Sequence, residues 1–245
     1  MQEFGATQAP KELSLRLFFN NGTFQVYGVY WGSKSKWHRV IQPLLTLLPQ
    51  EGRIASVDGE EMQWLPTLVK LNNGGQLEQP INYDKHETFF AKSVVTPESD
   101  PLDANTIRNF FTYLATDGQH APVNWWVIYD LYGGVGSMIR VPEVSATAYA
   151  HRHSLFTIQI YSTAPGQLPP YPAAGYPFVD GIADSITKYQ NETEFKAYAN
   201  YIDPTLTKEQ AWDLYYGQKL MVKLNKVKDT VDPQRIFWNP QAIRA

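Results

Sequence analysis

Two tyrosines and an asparagine lie within four residues of each other near the C-terminus, in Tyr198-Ala-Asn200-Tyr201-Ile-Asp203-Pro204. Such polar side chains are unfavourable in a buried core and are better suited to a polar site on a short connection. A tyrosine acts as a base only when a neighbouring charge or hydrogen bond lowers its pKa. The segment is therefore either a functional site or a hydrogen-bonded tyrosine corner.

A second candidate set lies on the apolar run 123–131, which is expected to be a strand. Alternation places Trp126, Ile128 and Asp130 on one face of it. Asp130 is either a turn-forming residue, which composition favours, or a placed functional carboxylate. Gln159 interrupts the apolar run 154–161. Because a buried amide needs hydrogen-bond partners, Gln159 is either a satisfied core residue or a ligand-facing one.

Two other motifs carry weaker predictions. Gly133-Gly-Val-Gly136 resembles a phosphate-binding loop, but such a loop needs a helix directly after it, and Ser137 to Val141 is expected to be extended. His151-Arg-His153 places two imidazoles on one face, yet no third and fourth ligands lie nearby in the sequence. An ordinary polar strand entrance is favoured over a metal site.

The strands and helices expected around these residues indicate an α+β fold, with an antiparallel sheet covered by helices on one face. Asn20-Asn21-Gly22 predicts a tight turn between strands 12–19 and 23–30. Further strands are expected at 123–131, 138–141 and 154–161. Helices are expected at 35–48 (ended by Pro49 and Gly52), 60–64, 103–116, 178–189, 194–198 and 207–229.

Composition narrows the function classes. The net charge of −3, without a long basic run, disfavours a nucleic-acid partner. No apolar run approaches the ~18 residues of a membrane span, so no membrane partner is expected. The absence of cysteine excludes disulfides and thiolate sites within the chain. Seven Trp, fifteen Tyr and twelve Phe suit either a large β-rich core or a surface that stacks on sugar-like ligands.

Compartment signals are mixed. Met1-Gln-Glu-Phe4 lacks the basic and apolar regions of a signal peptide. Asn21-Gly-Thr23 and Asn191-Glu-Thr193 are glycosylation sequons. They modestly favour a secreted glycoprotein.

The C-terminal part resembles the C-terminal block of flavin-linked oxidases of the berberine-bridge type. The segments that carry the resemblance are Tyr198-x-Asn200-Tyr201-x-Asp203, Tyr216-Gly217, Leu224-x-x-Val227-Lys228, Asp232-Pro233 and Phe237-x-Asn239-x-Gln241. Weaker similarity to the family is found in Gly28-Val-Tyr-Trp-Gly-Ser33, Asp130-Leu-Tyr-Gly133-Gly134 and Ala148-Tyr-Ala-His151-Arg152. It spans nearly the whole chain, and the most similar subgroup is the secreted fungal oligosaccharide oxidases.

The resemblance implies oxidation of the anomeric hydroxyl of a sugar to a lactone, with hydride transfer to FAD and reduction of O2 to H2O2. Tyr201 would be the base, and Asp130 would lower its pKa or share the proton. Trp126, Gln159 and Ile128 would line the sugar site. The resemblance places Tyr198 and Asn200 beside the flavin.

The resemblance also implies a division of the chain into a substrate-binding domain, residues 1–190, and a C-terminal segment, residues 191–245, that returns to an FAD-binding domain. That domain is absent from this sequence, so weak FAD binding is expected. The last helix is expected to expose an apolar stripe of Trp212, Tyr216, Leu220 and Leu224.

Three alternatives stay open at this point: a flavin oxidase of a phenolic or secondary-metabolite alcohol, a non-catalytic sugar-binding protein, and a metal hydrolase built on His151 and His153.

Overall fold

The computed structural model describes residues 1–48, 59–72, 74–78 and 86–244. Within these ranges, five strands form one antiparallel sheet in the order β2-β1-β4-β5-β3. The strands are β1 (Leu13–Asn20), β2 (Thr23–Tyr30), β3 (Phe89–Pro97), β4 (Asn124–Leu131) and β5 (Ser154–Thr163). The helices are α1 (Gln2–Thr7), α2 (Lys34–Leu47), α3 (Trp64–Leu71), α4 (Ala104–Thr116), α5 (Gly175–Thr187), α6 (Lys208–Tyr215) and α7 (Gly217–Val231).

Local sequence explains several of these boundaries. Gly22 has φ +80° at the turn between β1 and β2, a conformation that glycine adopts without steric cost. The Asp103 side chain accepts a hydrogen bond of 2.7 Å from the Thr106 N–H and so caps α4. Thr207 and Gln210 form a reciprocal capping box at the start of α6.

One face of the sheet is covered by helices. Val127 and Tyr129 of β4 are buried there against Phe110 of α4 and Ile182 of α5. Ile41 and Leu44 of α2 pack on Leu15 of β1, farther along the same face. This packing confirms the predicted α+β fold with helices on one face of an antiparallel sheet.

The opposite face, here called the open face, carries the polar residues singled out in the sequence. Trp126, Ile128 and Asp130 alternate along β4 on this side. Their partners on β1 are Asn20, Phe18 and Arg16. Their partners on β5 are Tyr161, Gln159 and Thr157. The register therefore places three rows of side chains across the open face, one through each of these β4 residues. The rows of Asp130 and Trp126 lie on either side of the row of Ile128.

The segment 196–203 runs along the edge of β3. Lys196 and Val95 exchange two backbone hydrogen bonds, of 2.7 and 3.1 Å. On the open face, the Ser93 hydroxyl accepts from the Tyr198 N–H at 2.8 Å. On the helical face, Lys92 Nζ lies 3.0 Å from Asp203 Oδ2. The helix predicted at 194–198 is wrong, because these residues pair with a strand edge instead.

Other local predictions also fail. Residues 138–141 form turns and no strand. The helix predicted at 207–229 is divided between α6 and α7, because Tyr216 leaves helical geometry and Gly217 has φ +67°. The predicted short helix at 60–64 is instead α3, which begins at Trp64. Pro49 and Gly52, expected to end α2, lie outside the described residues.

The C-terminal apolar stripe is also not exposed as expected. Leu220 is 3% exposed, and the Trp212 indole donates to the Gln241 carbonyl oxygen at 3.1 Å. The exposed apolar side chains of this region are instead Val222, Val227, Val231, Ile236, Phe237 and Trp238. None of the helices in the described ranges has the length and apolar content that crossing a bilayer requires.

Candidate active site

An ion pair between β1 and β4 forms the floor of the candidate site. Arg16 Nε lies 2.5 Å from Asp130 Oδ1, and Arg16 Nη2 lies 3.1 Å from Asp130 Oδ2. The Arg16 guanidinium also lies over the Tyr27 ring, 5.9 Å from its centroid. Asp130 is inside a strand and ion-paired, so the turn-forming interpretation of this residue is wrong.

Four tyrosines, here called the tyrosine cluster (Tyr132, Tyr149, Tyr198 and Tyr201), gather above this ion pair. Tyr198 is central, with ring centroids 5.2 Å from Tyr201, 5.8 Å from Tyr149 and 6.3 Å from Tyr132. Each of these contacts is edge-to-face, a preferred arrangement of aromatic pairs. The cluster joins the C-terminal segment to the end of β4 and to the connection that precedes β5.

The charges around Tyr201 bear directly on its use as a base. Burial raises the pKa of the Tyr201 phenol, the Asp130 carboxylate raises it further, and the Arg16 guanidinium opposes them. The expectation that Asp130 lowers this pKa is wrong, because a negative charge disfavours formation of a second one nearby. The group that favours the phenolate is Arg16. Tyr201 contacts Tyr198, and Tyr198 contacts Tyr132, which lies two residues after Asp130 in the chain.

Tyr198 and Asn200 are held together next to Tyr201. Asn200 Nδ2 donates to the Tyr198 hydroxyl oxygen at 2.8 Å. The Tyr201 N–H donates to the Tyr198 carbonyl oxygen at 2.9 Å, which closes the turn 198–201. Tyr198 is half-buried, whereas Asn200 is exposed. The pair therefore offers hydrogen-bonding groups at the outer rim of the site.

The other predicted contacts lie along the open face. Trp126 stacks on Tyr161 with ring centroids 4.2 Å apart, and Gln159 is half-buried beside them on β5. No residue in the described ranges forms a hydrogen bond with the Gln159 side chain, so its amide is available to a ligand. Ile128 lies between Asp130 and Trp126 and is 7% exposed. The sugar-contacting roles of these residues stay predictions.

The structure gives the two weaker motifs other roles. The Gly134 N–H donates to Glu98 Oε1 at 2.6 Å, and no helix follows Gly136, so this loop is not a phosphate cradle. His151 Nε2 hydrogen-bonds the Ala197 carbonyl oxygen at 2.7 Å. Burial lowers the pKa of His151. The described residues contain no group of three or more side chains arranged to hold a metal ion.

Sequence reasoning missed Arg16, Tyr132 and Tyr149 as site residues. Arg16 interrupts the apolar run of β1, and this was a usable signal, because an isolated charge on a half-buried strand needs a partner. Tyr132 and Tyr149 gave no comparable signal. They belong to irregular segments, and only the tertiary fold brings them to Tyr198.

Comparison with known proteins identifies a family for the C-terminal part of the chain. Residues 197–244, which contain Tyr198, Asn200 and Tyr201, match the family model described as berberine and berberine like. Residues 197–244 of the chain are thus a berberine-like domain. The matched region includes the segment that runs along the edge of β3 and both C-terminal helices, so the family region contributes half of the tyrosine cluster.

Curated relatives extend the similarity over almost the whole chain. The chitooligosaccharide oxidase of Gibberella zeae is 29% identical over 245 residues, which are 99% of this chain and 48% of the relative. The xylooligosaccharide oxidase of Thermothelomyces thermophilus is 32% identical over 96% of this chain and 46% of the relative. The chain therefore spans about half the length of the curated relatives it matches.

Solved structures show the same relationship. The xylooligosaccharide oxidase from Myceliophthora thermophila C1 in complex with xylobiose superposes with a TM-score of 0.85 at 29% identity, over 99% of this chain and 50% of that one. The glucooligosaccharide oxidase from Acremonium strictum gives 0.84 at 29% identity, with the same coverage. The chain thus has the fold of about half of each of these oxidases.

Proposed function

We propose that this chain is the substrate-binding half of an FAD-linked oxidase that converts the anomeric hydroxyl of an oligosaccharide to a lactone. The observation that carries the proposal is the packing of Tyr201 against Tyr198, which contacts Tyr132 at the end of β4, two residues from the Asp130 of the Arg16–Asp130 ion pair. Similarity to oligosaccharide oxidases over almost the whole chain supports the substrate class.

The described residues fit one edge of a flavin and not the whole cofactor. Tyr198 and Asn200 present a hydroxyl and an amide at the rim, which match the carbonyl and N–H groups of an isoalloxazine ring. A nucleotide pyrophosphate calls for a glycine-rich loop that opens a helix, and the Gly133–Gly136 loop does not open one. FAD would therefore be held mainly by a partner domain.

The chemistry that bound FAD supplies is acceptance of a hydride from the anomeric carbon and transfer of the electron pair to O2, which yields H2O2. Tyr201, in the phenolate form that Arg16 favours and that burial and Asp130 oppose, would take the proton of the anomeric hydroxyl while the carbon–oxygen bond becomes the lactone carbonyl. Arg16 holds this phenolate by electrostatic attraction. The fixed ion pair keeps Asp130 from turning toward the substrate as a competing base.

The binding part of the proposal uses the rest of the open face. Trp126 offers an aromatic surface for a pyranose ring, and the Gln159 amide offers a donor and an acceptor to its hydroxyls. Ile128, between Asp130 and Trp126, supplies an apolar contact along the ligand. These residues lie on strands β4 and β5, which hold their side chains in fixed positions.

We also propose the partner surface and the compartment. Ile236, Phe237 and Trp238 are 63–79% exposed, which suits contact with the FAD-binding domain. Secretion is proposed because Asn21 and Asn191 of the two sequons are both exposed. Production in a yeast secretion host, followed by removal of N-glycans, should shift the mass of the chain. A mass equal to the unmodified chain would contradict the glycoprotein assignment.

Calorimetric titration of the purified chain tests the substrate class. Cello-, xylo- and chito-oligosaccharides are compared with aromatic alcohols, using wild type, Trp126→Ala and Trp64→Ala. Trp64 is an exposed tryptophan on α3 whose ring packs at a tilt against Trp31, and it serves as the control. We expect saccharide binding that Trp126→Ala weakens about tenfold and Trp64→Ala leaves unchanged. Binding of aromatic alcohols alone would instead support a phenolic or secondary-metabolite oxidase.

The enzymatic part needs a flavin domain. In a fusion protein, this chain replaces the aligned half of the Gibberella zeae chitooligosaccharide oxidase. The rate of H2O2 formation in the presence of an oligosaccharide is then measured. Peroxide formation that Tyr201→Phe abolishes would support the proposal. A fusion that binds FAD and saccharide but forms no peroxide would favour a non-catalytic sugar-binding protein.

A further inference from the structure

The two edges of the sheet differ in how they are protected. At the β3 edge, Lys92 places a charge within the strand, and Lys196 bonds the backbone of Val95. β2 forms the other edge, and no strand of the described residues pairs with its outer side. None of its eight residues, Thr23–Tyr30, is charged or is proline. Because charges and prolines usually keep an edge strand from pairing with another chain, β2 is an unprotected edge.

The register of the hairpin shows which backbone groups this edge offers. The Trp31 N–H donates to the Glu12 carbonyl oxygen at 2.8 Å, and the pairing continues without a bulge to Asn20 and Thr23 at the turn. In an antiparallel pair, successive residues of a strand bond alternately toward one neighbour and the other. By this alternation, the backbone groups that point away from the sheet are those of Phe24, Val26 and Gly28. They have no partner among the described residues.

The side chains along this edge are complementary to a second copy of the same strand. Phe24 is 51% exposed, although it stacks on Phe19 with ring centroids 5.1 Å apart. Gly28, on the same face, is exposed and cannot carry a side chain, because a Cβ would lie 1.9 Å from the Ser14 carbonyl oxygen. An aromatic ring that covers a glycine on a neighbouring strand stabilises a sheet. A twofold axis at Val26 would place each Phe24 opposite the Gly28 of the other copy.

We propose that β2 is a self-association surface, through which two copies of the chain pair antiparallel about Val26. The two five-stranded sheets then form one continuous sheet, and each Phe24 ring covers the glycine opposite it. Because β2 has no charged residue, self-pairing brings no like charges together. The same surface is used by both copies, as in most homodimers.

The expected association is weak. One pair of eight-residue strands is small for a protein interface, so the chain should exist as monomer and dimer in equilibrium and not as a permanent dimer. The pairing involves neither flavin nor sugar. Its test therefore does not depend on the proposed function.

Sedimentation velocity over a range of concentrations measures this association for the full 245-residue chain, made in a bacterial host so that Asn21 carries no glycan. Val26→Pro removes an outward N–H group without breaking a bond to β1, and Phe24→Lys places a charge on the edge. Phe111→Lys is the matched control. Phe111 is 47% exposed and packs on the same Phe19, with ring centroids 5.6 Å apart, but it belongs to α4.

We expect wild type and Phe111→Lys to dimerise with similar dissociation constants. Val26→Pro and Phe24→Lys should each raise the dissociation constant about tenfold or more, because they remove a hydrogen bond or an aromatic contact at every copy of the interface. Thermal unfolding confirms that each variant folds.

A disulfide tests the register, since the chain contains no cysteine. Val26 faces its own copy across the axis at a Cα separation of about 5.5 Å, which a disulfide bridges. Val26→Cys should therefore give a disulfide-linked dimer on mild oxidation. Val222→Cys, at an exposed valine of α7, should not.

Three results would overturn the proposal. The first is a wild-type chain that stays monomeric at all concentrations. The second is association that Val26→Pro and Phe24→Lys both leave unchanged, which would place the interface on another surface. The third is a monomeric chain whose Phe24→Lys variant lowers the FAD content of the fusion oxidase, which would assign the β2 edge to the flavin-binding domain.

Discussion

Arg16 and Asp130 face each other across β1 and β4, and the guanidinium binds both carboxylate oxygens at 2.5 and 3.1 Å. Bidentate pairing holds the two groups in one plane and leaves little freedom to either. Both charges act on Tyr201: the Asp130 carboxylate raises its pKa and the Arg16 guanidinium lowers it. Burial is the largest cause of the raised pKa of Tyr201, and the two charges of the ion pair modify that pKa in opposite directions.

The first prediction concerns this balance. Asp130→Asn should lower the pKa of Tyr201, because it removes a raising charge and leaves Arg16 unpaired beside the phenol. Arg16→Met should raise that pKa. NMR titration of chains carrying ¹³C-labelled tyrosine, assigned with Tyr201→Phe, measures both shifts. Shifts of the same sign in the two variants would show that Tyr201 responds to something other than these charges.

The second prediction separates the two tyrosines of the turn. In the fusion oxidase, Tyr201→Phe should lower kcat about 100-fold or more, the usual contribution of a general base. Tyr198→Phe removes the hydroxyl that accepts from Asn200 and should have a much smaller effect. Steady-state peroxide assays across pH give both values. The reverse order of severity would assign the base to Tyr198.

The third prediction is a stability profile. Because burial lowers the pKa of His151 from 6.5, the unfolded chain takes up a proton at a pH where the folded chain does not. The free energy of unfolding should therefore fall as pH drops below 6.5. His151→Gln should flatten this slope in urea titrations at several pH values. His153→Gln, which changes an exposed neighbour, should keep the wild-type slope.

The fourth prediction concerns Lys92, whose Nζ lies 2.7 Å from Asp180 Oδ1 and 3.0 Å from Asp203 Oδ2. Burial alone would lower the pKa of Lys92, but these hydrogen bonds outweigh it and raise the pKa. Lys92→Met leaves the buried Asp203 carboxylate without its cation and should cost about 2–3 kcal/mol of unfolding free energy.

Urea unfolding measures this cost. Lys188→Met is the control, since Lys188 pairs with Asp184 on an exposed helix surface and its loss should change stability little. Because the pKa of Lys92 is raised on folding, its contribution is present at neutral pH and is lost as pH rises through the folded value. Equal effects of the two substitutions would contradict a special role for Lys92.

Much of the fold was predictable wherever local signals and tertiary structure agree. The hairpin around Gly22, the helix capped by Asp103 and the capping box at Thr207 were predicted within about a residue, because turn and cap residues act over short distances. The shared face of Trp126, Ile128 and Asp130 followed from strand alternation alone.

The remaining features depend on contacts between distant segments. Strand β3 was missed because Lys92 and Ser93 interrupt its apolar pattern. Ser93 is satisfied by Tyr198, and Lys92 by Asp180 and Asp203, all of which are distant in the sequence. The effect of Asp130 on Tyr201 was predicted with the wrong sign, because a carboxylate raises the pKa of a nearby phenol. The interruption of the β1 apolar run signals that Arg16 needs a partner, but it does not identify Asp130, which is 114 residues away in the sequence.

The segment 196–203 has a second consequence beyond positioning Tyr201. It occupies part of the outer rim of β3, where an unpaired strand would offer hydrogen bonds to another molecule. Detachment of this segment would dismantle the site and, in the same event, uncover a template for strand-to-strand association. Inactivation and aggregation of this protein should therefore begin together.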